Sequence, residues 1–423
     1  MINLMTFTKG NISTETVQQA IDYASEQKQC LLFPAGKYFV TSLELKDNSS
    51  IYLDKDAMIC AITNEEAWAN SPKKPLIFCQ DKNNISIRGY GELCCNGWAF
   101  VQENGERKKT DNRPESVVVI RNSSNVVIEN VKLTETVGWT LHLDNCDDVF
   151  LDGVIIRNPP YFKRKNSDGI DINGCRNVTL VNCDVETGDD AICLKNIDYS
   201  DNHSHPDTPR KDMYNIRVYN CRVASTCNTT KIGTETVGNI YDVSFEKIRV
   251  CKHSQIREEG MGEPPVNIIN PMSAISVQSN DGADVHNISF KDYYVEYVDA
   301  PIFILLQKRD RFINDFSKSR ISDIKIENIY VKKCYRTSQI MACADLKIED
   351  VSIKGLYAHN FEERNGNYDA RIPTGKEYPD VWNFGTFPAY GIYARNVKNL
   401  LVDDDVHIED RLNSGRCKYD LVE

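Results

Sequence analysis

The side chains best suited to chemistry are three aspartates. Asp168 lies in the polar turn NSDG, and twenty-one residues later TGDD supplies the adjacent pair Asp189 and Asp190. Carboxyls gathered in one place cannot all ionise freely, so their proton affinities separate. One stays protonated and donates while its neighbours stay ionised and accept, which is the equipment of acid–base bond cleavage. Each motif taken singly reads as a solvated turn, because Asp and Gly favour turns for backbone reasons. Their spacing, with the strand-like NVTLVNC between them, favours a joint role.

The elements that must position these acids repeat along the chain. A short unit recurs: Asn or Asp, an aliphatic residue, a variable one, then another apolar residue. It reads NNISIRG from Asn83, SNVVIEN from Ser124, DDVFLDG from Asp147 and RNVTLVN from Arg176. Further copies are YNIRVYN, YDVSFEK, HNISFKD, SDIKIEN and EDVSIKG. Short alternating runs with Asn/Asp/Gly punctuation are strands and turns. Recurrence every 20 to 50 residues indicates a solenoid, and no helical pattern alternates with the strands. The expectation is all-β: a right-handed parallel β-helix occupying residues 1–423 as one domain. Residues about 1–60 form the N-terminal cap and first coils, and about 370–423 a C-terminal loop and closing coil. The one clear helix is TETVQQAIDYASEQ, with Val17, Ala20, Ile21 and Ala24 on one stripe and Ser13 or Thr14 as N-cap. It serves as the cap that a solenoid's open end requires.

On such a fold Asp168 and Asp189 fall about one coil apart, with neighbouring strands roughly 4.8 Å from each other. A carboxyl cluster of this kind suits glycoside hydrolysis, in which one acid protonates the leaving oxygen and another activates water. The segment from Arg113 to Lys195 resembles glycoside hydrolase family 28, the polygalacturonase family. NSDGIDI is similar to its N-T-D motif and TGDDAICLK to its G-D-D-C-I motif. LLFPAGKYFVTSLELKDNSSIYLDKDA and GYGELCCNGWAF resemble its N-terminal part. The resemblance implies the β-helix and an inverting hydrolase of a pectin-like or related plant polysaccharide, or its oligosaccharides. It also implies roles: Asp189 as general acid, Asp168 and Asp190 as the groups that position and deprotonate water.

Two family motifs are altered. Aligning Ile232-Gly233 with the family's I-G places Asn228 where a histidine is expected, and AISVQS puts Ser276 and Gln278 at the two basic positions of R-I-K. Loss of both cations removes the natural partners of a uronate carboxylate. Lys231 is the evident substitute, and Arg309 and Arg311 are further candidates, although each also reads as a surface cation. Trp139 and His142, one repeat before Asp168, are candidates for a sugar groove or for the core. Tyr390 belongs either over the groove or to the hydrophobic closure of the last coil. The HSHPD stretch at His203 is a weak metal signal, and neither metal nor cofactor is expected. The loops Asn196–Tyr214 and Cys251–Ser273 are candidates for closing one end of the groove.

Composition narrows the partners. A net charge of −11 disfavours nucleic acid, and no apolar run of about 18 residues indicates a membrane span. Fifteen cysteines without a C-x-x-C read as small buried thiols. With no basic-then-apolar leader at the start, they point to a cytoplasmic location, secretion being the alternative. The sequence leaves the oligomeric state open. Two other functions stay open: a Ca²⁺-dependent lyase on the same fold, with Lys231 as base, and a non-catalytic carbohydrate-binding β-helix.

Overall fold

The computed structural model describes residues 1–71, 74–102, 107–158, 166–198, 211–253, 270–313, 315–363 and 368–422. The chain divides into two compact units, residues 1–190 with His253, and residues 191–252 with 270–422. The fold is a right-handed parallel β-helix with a short N-terminal helix.

In the first unit the quoted repeats become strands in register. Ser124–Glu129 pairs in parallel with Asn83–Gly89 on one side and Asp147–Asp152 on the other, and the latter with Arg176–Val181. Ile85, Val126, Val149 and Val178 therefore form one inward column, and Ile87, Ile128, Leu151 and Leu180 a second, all essentially buried. Each such side chain contributes about 1.5–3 kcal/mol of burial. The punctuation also has a physical cause. Asn84, Asn125, Asp148 and Asn177 all have φ between 53° and 61°, the left-handed region that Asn and Asp tolerate best. Their side chains then bond from coil to coil: Asn125 Nδ2 donates to Asn84 Oδ1 at 2.7 Å, and Asn177 Nδ2 to Asp148 Oδ1 at 3.0 Å. The helix Thr14–Glu26 starts in a capping box between Ser13 and Thr16 and buries Val17, Ala20, Ile21 and Ala24.

A second parallel sheet of this unit stacks Ile77–Gln80, Val118–Arg121, Leu141–Asp144 and Ile170–Asn173. The turn that carries Asp168 leads directly into the last strand of this sheet, Ile170–Asn173.

The second unit repeats the scheme with longer strands, Ile240–Val250, Asp284–Val295, Arg320–Cys334 and Ile348–Asn360. Phe245 and Phe290 occupy paired inward positions and stack at 5.2 Å, 5° from parallel. Its other sheet runs through Ile192–Asn196, Asn228–Thr236, Ser273–Ser279, Ala300–Leu306, Ser338–Ala342 and Ala389–Arg395. All fifteen cysteines are free thiols and twelve of them are buried. Burial pushes the Cys175 thiol well above its ordinary range, which suits packing and not reactivity.

Candidate active site

In the first unit the two acidic turns lie on successive coils and are tied together through the main chain. Gly169 N donates to the Asp190 carbonyl at 2.8 Å, and the Asp168 carbonyl accepts from Thr140 N at 2.9 Å and from Thr140 Oγ1 at 2.7 Å. The Asp189 carboxylate is held by two amides, Asn166 N to Oδ2 at 2.8 Å and Asp190 N to Oδ1 at 2.9 Å. Asp189 and Asp190 present carboxyl oxygens within 4.8 Å of each other. Asp168 and Asp190 are each only 3% exposed, while Asp189 is half-buried.

Beneath the turns is a polar network that sequence reasoning missed. Asn158 Nδ2 donates to Thr140 Oγ1 at 2.6 Å, Thr136 N donates to Asn158 Oδ1 at 3.2 Å, and Thr187 Oγ1 bonds the Ser167 carbonyl. A hydroxyl that accepts from one residue and donates to Asp168 fixes the turn in one orientation. His253 adds to this layer, its Nε2 lying 3.1 Å from the Asn158 carbonyl and its Nδ1 3.8 Å from Glu186. No short-range sequence signal marks it, since the partners are up to 95 residues apart.

Trp139 and His142 meet edge to face at 4.8 Å, with Trp139 half-buried and His142 buried. His142 pairs in register with Asp171, a fully buried acid three residues after Asp168 that the motif reading passed over. Strand alternation was the available clue, because Asp171 and Asn173 share a face.

The second unit carries a separate charged group. Lys231 and Lys195 are 5% and 4% exposed. Burial alone would raise the Glu235 carboxyl, but Lys195, Arg309 and Lys231 outweigh it and hold it below the ordinary range. Arg309 is bound to Asp281 by Nε to Oδ1 at 3.1 Å and by Nη2 to Oδ2 at 2.7 Å. Burial raises the Asp281 carboxyl above its usual value, and Arg309 acts in the opposite direction. Burial likewise raises Asp380, against the influence of Arg336 and Lys231 among others. Lys195, Lys231, Arg309, Arg311 and Arg336 thus act on Glu235, Asp281 and Asp380, and the sequence flagged Lys231, Arg309 and Arg311 but neither Lys195, Arg336 nor any of the acids.

The remaining candidates are placed as follows. Asn228 is buried and accepts from Ser273 Oγ at 2.7 Å. Gln278 is fully buried and donates to Ser276 Oγ at 2.9 Å, so this pair is engaged within the protein. Arg311 is half exposed and lies over Phe312, 3.7 Å from Glu235. Tyr390 lies in the strand Ala389–Arg395, and the charged groups that act on it include Lys418 and Asp410, in the closing strands. Of the two places the sequence left open for it, this one is the closure of the last coils. An open cavity of about 1110 Å³ lies between Lys308–Asp310 and Thr374–Tyr378. His203 lies outside the described residues, as do the greater parts of the loops Asn196–Tyr214 and Cys251–Ser273. No helix among the described residues is long and apolar enough to cross a membrane.

Fold and acids together define a parallel β-helix protein bearing a coil-borne carboxyl cluster. The family model for glycosyl hydrolases family 28 matches residues 24–256, more than half of the chain, which therefore belongs to that family. A probable polygalacturonase of Vitis vinifera is 24% identical over 257 residues, 56% of this chain and 51% of that protein. The chain spans about half the length of the curated relatives it matches. Among solved structures, an exopolygalacturonase from Thermotoga maritima aligns with TM-score 0.55 and 19% identity, over 90% of this chain and 93% of that one. A surface adhesin of Streptococcus pneumoniae aligns with TM-score 0.58 and 13% identity, over 100% and 93%. The fold alone is thus common to an enzyme and an adhesin, and function must be argued from the site.

Proposed function

We propose that this protein hydrolyses glycosidic bonds in pectin or related plant polysaccharides, or in their oligosaccharide fragments. The observation that carries the reading is the union of the two acidic turns, with Asp168 on one coil and Asp189–Asp190 on the next joined by the 2.8 Å bond from Gly169 to Asp190. A protein that only binds sugar has no need for an adjacent carboxyl pair with a third aspartate on the neighbouring coil. In the proposed step Asp189 gives its proton to the leaving glycosidic oxygen as the carbon–oxygen bond breaks. A water held by Asp168 and Asp190 attacks the anomeric carbon and loses its proton to one of them. Asp189 and Asp190 are within 4.8 Å, closer than the roughly 6.5–9.5 Å that seats water between the carboxyls of most inverting enzymes. The water is therefore assigned to the Asp168 side of the pair and not to a gap between Asp189 and Asp190. Proton NMR of the first-formed anomer checks this, since retention would remove the water's role as first nucleophile.

The engagement of the second unit's cations supports an uncharged sugar as the substrate. Ser276 and Gln278 stand where the family pattern has cations, and Lys195, Lys231 and Arg309 already act on buried acids, so the natural partners of a uronate are reduced. The free thiols support a reducing compartment and hence short, imported fragments as substrates. Wild type and Asp189→Asn are to be incubated with charged and neutral pectic polymers and oligosaccharides, with and without EDTA. New reducing ends that resist EDTA and vanish in the variant are the expected result. Ultraviolet absorbance of an unsaturated uronate that EDTA abolishes would instead mean a metal-dependent lyase.

A further inference from the structure

The long strands of the second unit carry two outward columns that the proposed hydrolysis does not use. One is aromatic. Arg249 pairs in register with Tyr294, Tyr294 with Tyr330 and Tyr330 with Tyr357. The first two rings stack at 5.5 Å, 15° from parallel, and the second two at 6.1 Å and 10°. Arg249 lies over the free face of Tyr294 at 5.5 Å, and His407 meets Tyr357 at 5.8 Å. Ring faces are therefore covered, and what the column offers outward is edges and hydroxyls. The three tyrosines are 40%, 39% and 40% exposed, so none of them is absorbed into the core. Single exposed aromatics are ordinary. A continuous column of Tyr and Arg has the composition of the buried centre of protein interfaces.

The other column is charged, and its sign alternates. Glu246 pairs with Lys291, Lys291 with Glu327 and Glu327 with Lys354. Among the described residues none of these four takes part in an ion pair, so their charges stay available. In each strand one residue of left-handed φ separates the columns: Lys247, Asp292, Asn328 and Gly355. The charged column thus stands just round a bend from the tyrosines, at the rim of their face.

We infer that this face binds a second copy of the same chain in a two-fold dimer, with Tyr294, Tyr330 and Tyr357 at the centre and the Glu/Lys column setting the register. The argument is self-complementarity. A two-fold axis parallel to the strands, passing between Asp284–Val295 and Arg320–Cys334, reverses the order of the coils in the second copy. Tyr294 then meets Tyr330 and Arg249 meets Tyr357, while Lys291 faces Glu327 and Glu246 faces Lys354. Glu296 and Lys332, two residues beyond Tyr294 and Tyr330, oppose each other in the same way. A shift of one coil sets Lys291 against Lys291 and Glu246 against Glu327, so the wrong register is repulsive. The column continues from Arg222 beside Arg249 to His407 beside Tyr357, six coils or roughly 25 Å at about 4.8 Å per strand. With three or four outward positions per strand the face amounts to roughly 600 Å², somewhat below the about 800 Å² per partner of a standard complex. The dimer is accordingly reversible and grows with concentration.

The test is sedimentation of the full chain over a wide range of concentration, with urea midpoints to show that each variant is folded. Wild type is expected to pass from monomer to dimer, and a monomer at every concentration overturns the inference. Lys291→Glu and Glu327→Lys each place like charges across the axis twice, and each should weaken the dimer by about tenfold or more. A wild-type dimer indifferent to both reversals lies on another face, which overturns the inference as well. The exchange Lys291→Glu/Glu327→Lys is decisive. It restores opposite charges between copies but puts Glu beside Glu246 and Lys beside Lys354 within each copy. Recovery of the dimer is the expected result. A double variant weaker than either single one would mean that the column acts only within the chain.

Discussion

The two units hold their acids in opposite ways. In the first, Asp189 is positioned by main-chain amides, and Asp168 by a hydroxyl and an amide bonded to its carbonyl. In the second, Glu235 and Asp281 face Lys195, Lys231 and Arg309. The cations hold Glu235 towards its charged form, and at Asp281 Arg309 works against the burial that raises it, an arrangement that serves architecture rather than proton transfer. The Asp168 turn, oriented through its backbone carbonyl, keeps its geometry whatever the protonation state of its carboxyl. On the proposed hydrolase reading, proton transfer belongs to the first unit and shape to the second.

Substitution of the first unit's acids tests that contrast most strongly. Asp190→Asn should lower kcat by about 10²–10⁴, the usual worth of a positioned acid or base, with an unchanged urea midpoint. Adding Asp168→Asn should cost little more, because groups that act on one water fail together. Additive losses would separate the two roles.

Arg309 is expected to behave in the converse manner. Arg309→Met leaves Asp281, whose side chain is fully buried, without its partner, at a cost of about 3–5 kcal/mol in stability. The double variant Arg309→Met/Asp281→Asn should recover much of it. If Arg309 instead served to bind substrate, KM would rise while the denaturation midpoint stayed in place. Asn158→Ala should fall between the two. Loss of its bonds to Thr140 and Thr136 costs about 1–3 kcal/mol and lowers kcat by loosening the Asp168 turn, with no shift in the pH profile.

What could be seen in the sequence was what is local or periodic. The repeat was legible because each copy needs a residue that tolerates left-handed φ, and Asn84, Asn125, Asp148 and Asn177 supply it in place. The capping helix was legible from its stripe and its Ser13 cap. The acid cluster emerged because one coil separates its motifs. Side-chain pairing across the solenoid was not legible. Nothing local says that Lys195 and Lys231 act on Glu235, or that Arg309 reaches back to Asp281. Gln278 shows the limit well. Its alternation puts it on the outer face, as expected, but it is fully buried and engaged with Ser276. The place of Tyr390 stayed open in the sequence because an aromatic run records that something is covered, not what it covers.

The smallest expected effect lies within the second unit, where Glu235 and Asp281 should respond to pH with opposite sign. Glu235 is held below its ordinary value, so between that value and the folded one the unfolded chain binds more protons. Its contribution is full above the ordinary glutamate range and is lost as pH falls through the folded value. Asp281 is raised by burial, so there the folded chain binds more protons, and its contribution declines as pH rises through the folded value. Urea midpoints of wild type, Glu235→Gln and Asp281→Asn, taken from about pH 7 to about pH 3, resolve the two. The gap between wild type and Glu235→Gln should close on acidification. Asp281→Asn should gain on wild type as pH rises. Parallel curves for all three would mean that the cations do not bias these acids, and the assignment of this face to shape alone would lose its basis.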